Sequence, residues 1–411
     1  DDLYMTAQDL LGSSDTEDKE MAGRLIEKAL ELEPESPRAY IAMAGYYLEL
    51  SKVDEAEAVL KRGAEAGIDA TNFSLLDASI SLAHGDEPKA LEIAQAALSE
   101  ASLDQVKTWA TFFSRRGYLK AGQNLLEARL ADVGEEERVG LAIFQTELAL
   151  QFESAAEALV KLRAAESVSN DLGGDEANLN PIRISVAQRL LGSEQADDQK
   201  VVEEILATVD SIDPNFDGIA VLQGRMALRE TPPDLVKAAN LLKVVPEESR
   251  YRDDVDLMLA EISLLQGQYD TTERLAAEVY ERTPQNKGAW HLAGDAQLRQ
   301  GNLDAARLSL ERVLEIDRSD PRATRVLVHI YSELRLRRKA ETMFARYSDI
   351  VSVQPGHEEE LEELRNSLNM QSGNIREVTE NLRKQLEEKP DDYDVLSRLA
   401  GALASEGSYD E

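Results

Sequence analysis

Small residues recur along this chain at a fixed interval, with large apolar residues placed around them. Ala22, Ala56 and Ala90 stand at intervals of 34, and so do Thr272, Ala306 and Ala340. Leu60, Leu126, Leu242, Leu310 and Phe344 stand four positions after a small site or its aligned equivalent. A side chain larger than a methyl holds two crossing helices apart, so a small residue once per unit marks a repeated close crossing. A second marker keeps the same beat: Gly267-Gln268-Tyr269-Asp270, then Gly301-Asn302-Leu303-Asp304, and again Gly407-Ser408-Tyr409-Asp410. The Gly supplies a turn and the Asp suits the first turn of the next helix. Pro34, Pro214, Pro284 and Pro390 close units where a helix must stop. Periods in this range belong to stacked helix pairs.

The pattern predicts helix pairs at about 1–34, 37–70, 71–102, 103–134, 136–166, 181–213, 217–249, 253–286, 287–320, 321–355 and 359–392, with a half unit at 393–411. The polar, Gly-containing stretch 167–180 is expected to be a loop or a joint. It would separate an array at 1–166 from one at 181–411. Thr231-Pro232-Pro233 and the stretch from Gln354 to Glu358 are expected to lengthen turns. Both ends are expected to be cut, because neither shows the polar capping helix with which such arrays finish.

These marks resemble the tetratricopeptide repeat family along nearly all of the chain. Trp290, Ala293-Gly294, Gly301, Ala306 and Leu310 follow the family pattern, as do Tyr40, Met43-Ala44, Tyr47, Asp54, Ala56 and Leu60. Units at 136–170 and 181–213 keep only helical periodicity and isolated alanines. The resemblance implies an all-α, right-handed superhelical solenoid of antiparallel helix pairs, about eleven units long. It also implies that a concave groove is lined by the first helix of each pair.

Charge narrows the classes of partner. The formal net charge is -34, which disfavours nucleic acid and anionic lipid as general partners. An acidic exterior permits a cationic polymer as partner. The absence of cysteine excludes disulfides, thiol catalysis and Cys-based zinc sites, and it leans toward an exported bacterial protein. No apolar run is long enough to span a bilayer. There is no phosphate-cradling Gly-rich loop followed by Lys, no HExxH and no GxSxG, so no catalytic residue, cofactor or metal is assigned. Asn72-Phe73-Ser74 is a formal glycosylation sequon at a repeat start.

Of the four histidines, His84 precedes Gly85 near a turn and His357 lies in a long connection, whereas His291 and His329 fall on first helices of adjacent units. Placed on the family's groove positions, the candidate partner-binding residues are Arg225, Arg229, His291, Asp295, Arg299, Arg322, Arg325 and His329, with Glu333 beside them. Between Pro321 and Tyr347 the chain also carries Arg335, Arg337, Arg338, Lys339 and Arg346 against Glu333 and Glu341. Such an electropositive strip suits an acidic segment or a C-terminal carboxylate. The Lys/Asn carboxylate clamp of some tetratricopeptide proteins is not found in consecutive units.

The function expected is a non-catalytic scaffold that binds another protein or peptide. Two alternatives stand beside it. One is a bacterial periplasmic or envelope scaffold for polysaccharide or surface-protein assembly and export. The other is the substrate-recruiting arm of a larger enzyme.

Overall fold

A computed structural model of the protein describes residues 6–7, 16–98, 101–130, 133–192, 196–352, 356–371, 375–388 and 392–406. The tetrapeptide at 407–410, Pro390, and Gln354 and Pro355 of the long connection lie outside the described residues. The described residues form α-helices joined by short turns and two 3-10 turns, with no strand among them. Contacts divide the chain into two compact units, 1–230 and 231–411.

In the first unit α1 (Thr16–Leu32) precedes five pairs. These are α2 and α3 (Pro37–Glu49, Val53–Glu65), α4 and α5 (Ser74–Ala83, Glu87–Ala97), α6 and α7 (Leu103–Arg115, Leu119–Leu130), α8 and α9 (Glu135–Phe152, Ala155–Asp171), and α10 and α11 (Asn180–Leu191, Ala196–Ile212). The helix α12 (Asp217–Leu228) follows. The second unit opens with α13 (Leu235–Leu242) and continues with α14 and α15 (Arg252–Leu265, Tyr269–Arg282), α16 and α17 (Lys287–Arg299, Leu303–Ile316), α18 and α19 (Pro321–Glu333, Arg337–Val351), and α20 and α21 (Glu358–Gln371, Ile375–Glu388). The last described helix is α22 (Tyr393–Glu406).

The repeated small residues sit where the spacing puts them. Ala22, Ala56, Ala90, Thr272, Ala306 and Ala340 are all fully buried. Thr272 satisfies its hydroxyl within the crossing by donating to the Ala260 carbonyl at 3.3 Å and the Gln268 carbonyl at 3.2 Å. Leu60, Leu126, Leu242 and Leu310 are buried around these crossings. Gly122 holds the small position of its pair, and a Cβ there would lie 2.6 Å from the Ala110 carbonyl oxygen.

The turn between the two helices of a pair is equally regular. Gly301 adopts φ +78°, its N–H bonds to the Leu298 carbonyl, and the Asn302 N–H reaches back to the Gln297 carbonyl at 2.8 Å. This is the helix-ending arrangement in which a left-handed residue returns orphan carbonyls to the chain. Gly85, Gly117 and Gly267 repeat it, while Ser51 (φ 58°) and Arg335 (φ 56°) occupy the same place without being glycine.

Within each unit, the first helices of successive pairs touch one another: α2 with α4, α6 with α8, α8 with α10, α14 with α16, and α18 with α20. Contacts between second helices of successive pairs are sparser. One local expectation is corrected. The helix α9 runs on through Ser167 to Asp171, so the connection expected over 167–180 shrinks to Leu172–Asp175 followed by a 3-10 turn at Glu176–Leu179. Leu162, Ala165 and Ser169 continue a buried helical face through the polar stretch, and this packing outweighs its weak helix propensity.

Candidate partner-binding face

In the second unit, α16 and α18 carry most of the candidate residues. Each helix starts from a side-chain cap. Asn286 accepts from the Ala289 N–H at 3.2 Å and Asp320 accepts from the Ala323 N–H at 2.8 Å. The Asp320 cap also organises the joint between the two pairs. Its carboxylate lies 3.1 Å from His291 Nε2 and 3.0 Å from Lys287 Nζ, and Lys287 reaches Asp317 at 2.7 Å. Burial alone would raise the Asp320 carboxyl. The Ala323 N–H, His291 and Lys287 outweigh that and hold it below the usual carboxylate range.

His291 is therefore not the groove residue its register position implies. It is 8% exposed and ties its helix to the cap of the next first helix. Asp295 is ion-paired with Arg322. Arg325 is ion-paired with Glu360 at 3.0 Å, and the same carboxylate accepts from the Tyr347 hydroxyl at 2.7 Å. His329 reaches solvent, yet partial burial and then Arg325 push its imidazole below the ordinary histidine value. Arg299 is exposed in the last turn of α16 and has no ion partner among the described residues. His291, Asp295 and His329 do not converge on a common point as metal ligands would. In the first unit, Arg225 is half-buried near the end of α12 and Arg229 is the exposed residue that follows that helix.

The electropositive strip expected between Pro321 and Tyr347 is thus largely neutralised within the chain. Arg322 pairs with Asp295, Arg325 with Glu360, Arg337 with Glu341 at 2.7 Å, and Lys339 approaches Glu311 at 4.0 Å. Local charge counting missed this because three of the four partners come from neighbouring pairs, 27 positions away for Arg322 and 35 for Arg325. Asp320, Lys287 and Glu360 were missed as well. Asp320 carried a readable signal, since it stands directly before Pro321, the first residue of a helix.

The fold is a helical-repeat array, in which each helix pair packs on its neighbours. The family model described as tetratricopeptide repeat matches residues 20–77 and 263–330, and those two stretches are tetratricopeptide repeats. No curated protein matches it significantly. Among solved structures, it is similar to TTC0263, a thermophilic TPR protein of Thermus thermophilus, at 18% identity and a TM-score of 0.34, covering 46% of this chain and 99% of that one. It is similar to the Cut9–Hcn1 hetero-tetramer of APC/C at 13% identity and TM-score 0.38, covering 99% and 84%. Human IFIT1, solved as a dimer with m7Gppp-AAAA, gives 15% identity and TM-score 0.46, covering 83% and 87%. At these scores the structural likenesses carry no argument of their own. Tetratricopeptide repeats are generally non-catalytic protein-interaction scaffolds.

Proposed function

We propose that the chain is a non-catalytic scaffold that holds an acidic segment of another protein on the first-helix face of its second unit. The observation that carries this reading is the state of three exposed arginines. Arg299 has no ion partner among the described residues, and Arg322 and Arg325 are held only by carboxylates of the same partly exposed face. Surface ion pairs are worth about 0–1 kcal/mol each, so an incoming carboxylate can displace Asp295 or Glu360 at little cost. Guanidinium groups already oriented by such pairs present their donors in the fork that carboxylates accept. His329 lies alongside, and Arg225 and Arg229 would serve the first unit in the same way.

The test is fluorescence anisotropy with labelled short peptides of acidic, neutral and basic composition. Acidic peptides are expected to bind in preference, and Arg299→Glu combined with Arg325→Glu is expected to abolish that preference without changing the circular dichroism. Equal binding of all three peptides, or an unchanged preference in the double variant, would remove the proposal. A second reading rests on the absence of cysteine together with the net charge of -34. It places the array in a bacterial envelope, where acidic outer surfaces accompany a cationic polymer. An export signal in the full gene product and saturable binding of a glucosamine oligomer would favour it.

A further inference from the structure

The strongest unassigned chemistry lies in the first unit, at the joint between α3 and α4. Asp54 and Glu57 stand one turn apart at the start of α3, and His84 is the residue that ends α4. One ligand atom from each lies within 4.8 Å of the other two, and no other group of three or more His, Asp or Glu converges in this way among the described residues. We propose that Asp54, Glu57 and His84 form a site for a first-row divalent cation such as zinc, which clips one helix pair to the next.

The second unit shows what this place in the repeat does when no ion is meant. Gly301 and Gly85 hold the same left-handed turn position, so the counterparts of Asp54, Glu57, Ser81 and His84 are Asp270, Glu273, Gln297 and Gln300. There the two carboxylates are satisfied by amide donors. Gln300 donates to Asp270 at 2.8 Å and Gln297 donates to Glu273 at 3.1 Å. In the first unit neither amide is present. Ser81 spends its hydroxyl on the Asp77 carbonyl at 2.9 Å, and His84 Nε2 lies 3.7 Å from the Glu57 carboxylate. That separation is beyond hydrogen-bond distance. Two carboxylates and an imidazole, all three exposed to solvent, are therefore gathered at a structural joint that lacks the amide donors of the second unit.

Two oxygens and one imidazole nitrogen suit a borderline cation, with water completing the coordination. Ligand atoms around one tetrahedral zinc ion at about 2.1 Å lie about 3.4 Å apart, so side-chain movements of about 1–1.5 Å close the site. A hard ion such as magnesium prefers oxygen ligands throughout and gains nothing from the imidazole. The ligands come from two successive pairs, so bound ion would stabilise the stack by mass action.

The experiment is a titration of the purified chain with Zn²⁺ alone, read by calorimetry and by the ring signals of its four histidines in NMR. His84 is expected to shift first and to saturate near one equivalent, with the unfolding midpoint rising. His84→Gln installs the residue that the second unit uses at this place and so keeps the fold. It is expected to lower zinc affinity at least tenfold and to remove the rise in midpoint, while Mg²⁺ leaves the His84 ring unmoved in the wild type. Zinc affinity unchanged in His84→Gln would overturn the proposal, as would first perturbation at His291, His329 or His357.

Discussion

The two units share one repeat geometry and differ in how they treat charge. Residues 1–230 carry 21 Lys and Arg against 44 Asp and Glu, whereas residues 231–411 carry 24 against 35. In the second unit, cations bridge successive pairs, Lys287 to Asp320, Arg322 to Asp295, Arg325 to Glu360 and Arg398 to Glu363, and also join helices within a pair, as Arg282 does with Asp253. The first unit leaves most of its carboxylates to solvent and buries one of its ion pairs. There Arg183, 3% exposed, donates to Glu166 at 2.8 Å and to the Glu176 carbonyl at 2.8 Å. Helices can thus be tied together by pairs whose cations reach solvent, as in the second unit, or by one whose cation is buried, as in the first. The two solutions should fail differently.

The largest difference is expected from removing one anion in each unit. Glu166→Gln leaves the buried Arg183 charge without its carboxylate and should cost the first unit about 3 kcal/mol. In the second unit Asp256 is itself fully buried, but its partners Arg252 and Arg282 have side chains 23% and 43% exposed. Released guanidinium groups there can hydrate, so Asp256→Asn should cost only about 1–2 kcal/mol. The two tryptophans fall one in each unit, Trp109 and Trp290, so denaturation of single-tryptophan variants follows each unit separately. Equal losses would show that burial of the remaining cation is not what distinguishes the units.

Overpacking the helix crossings comes next, and it should not distinguish the units. Ala306→Leu in the second unit and Gly122→Leu in the first each force bulk into a fully packed crossing and should cost roughly 1–3 kcal/mol. Leu310 packs near the first site and the Ala110 carbonyl closes the second. A midpoint no lower than wild type in either case would break the register on which the comparison stands.

That register was the part of the molecule most legible in the sequence. The crossings at Ala56 and Ala306 and the turns at Gly267 and Gly301 depend on residues inside one pair, so a local pattern suffices to place them. The side chains of the candidate face were not legible to the same degree. Whether Arg325 is free or held by Glu360 depends on a residue 35 positions away in the next pair. His291 occupies a groove position by count yet turns into the joint, where its Nε2 lies 3.1 Å from the Asp320 carboxylate. Ser51 and Arg335 are a third kind of case. Neither residue type announces a left-handed turn, and only the spacing of 34 to Gly85 and from Gly301 places them there.

Those two turns supply a smaller prediction with the opposite sign. A non-glycine residue in the left-handed region is strained by roughly 1–2 kcal/mol, partly offset by the entropy glycine loses on folding. Arg335→Gly and Ser51→Gly should each stabilise their unit by about 0.5–1 kcal/mol. Arg335 is exposed, so little packing is lost with its side chain. A lower midpoint in both variants would mean that the turn position is not shared across the repeats.

The smallest expected effect isolates the charge contrast itself. Raising salt from about 0.02 M to about 0.3 M shortens the screening length from roughly 20 Å to roughly 6 Å. In the first unit this mainly weakens repulsion among unpaired carboxylates, which favours the folded state. In the second unit the same screening also weakens the pairs that bridge successive helices, and the two effects oppose each other. The Trp109 transition should therefore gain a few tenths of a kcal/mol with salt while the Trp290 transition changes less. Reversing Arg322 and Arg325 to glutamate should convert the second unit to the behaviour of the first, because both substitutions trade a bridging cation for another exposed carboxylate. A salt response of the second unit that stays flat after that exchange would locate the contrast somewhere other than in the pairs between its repeats.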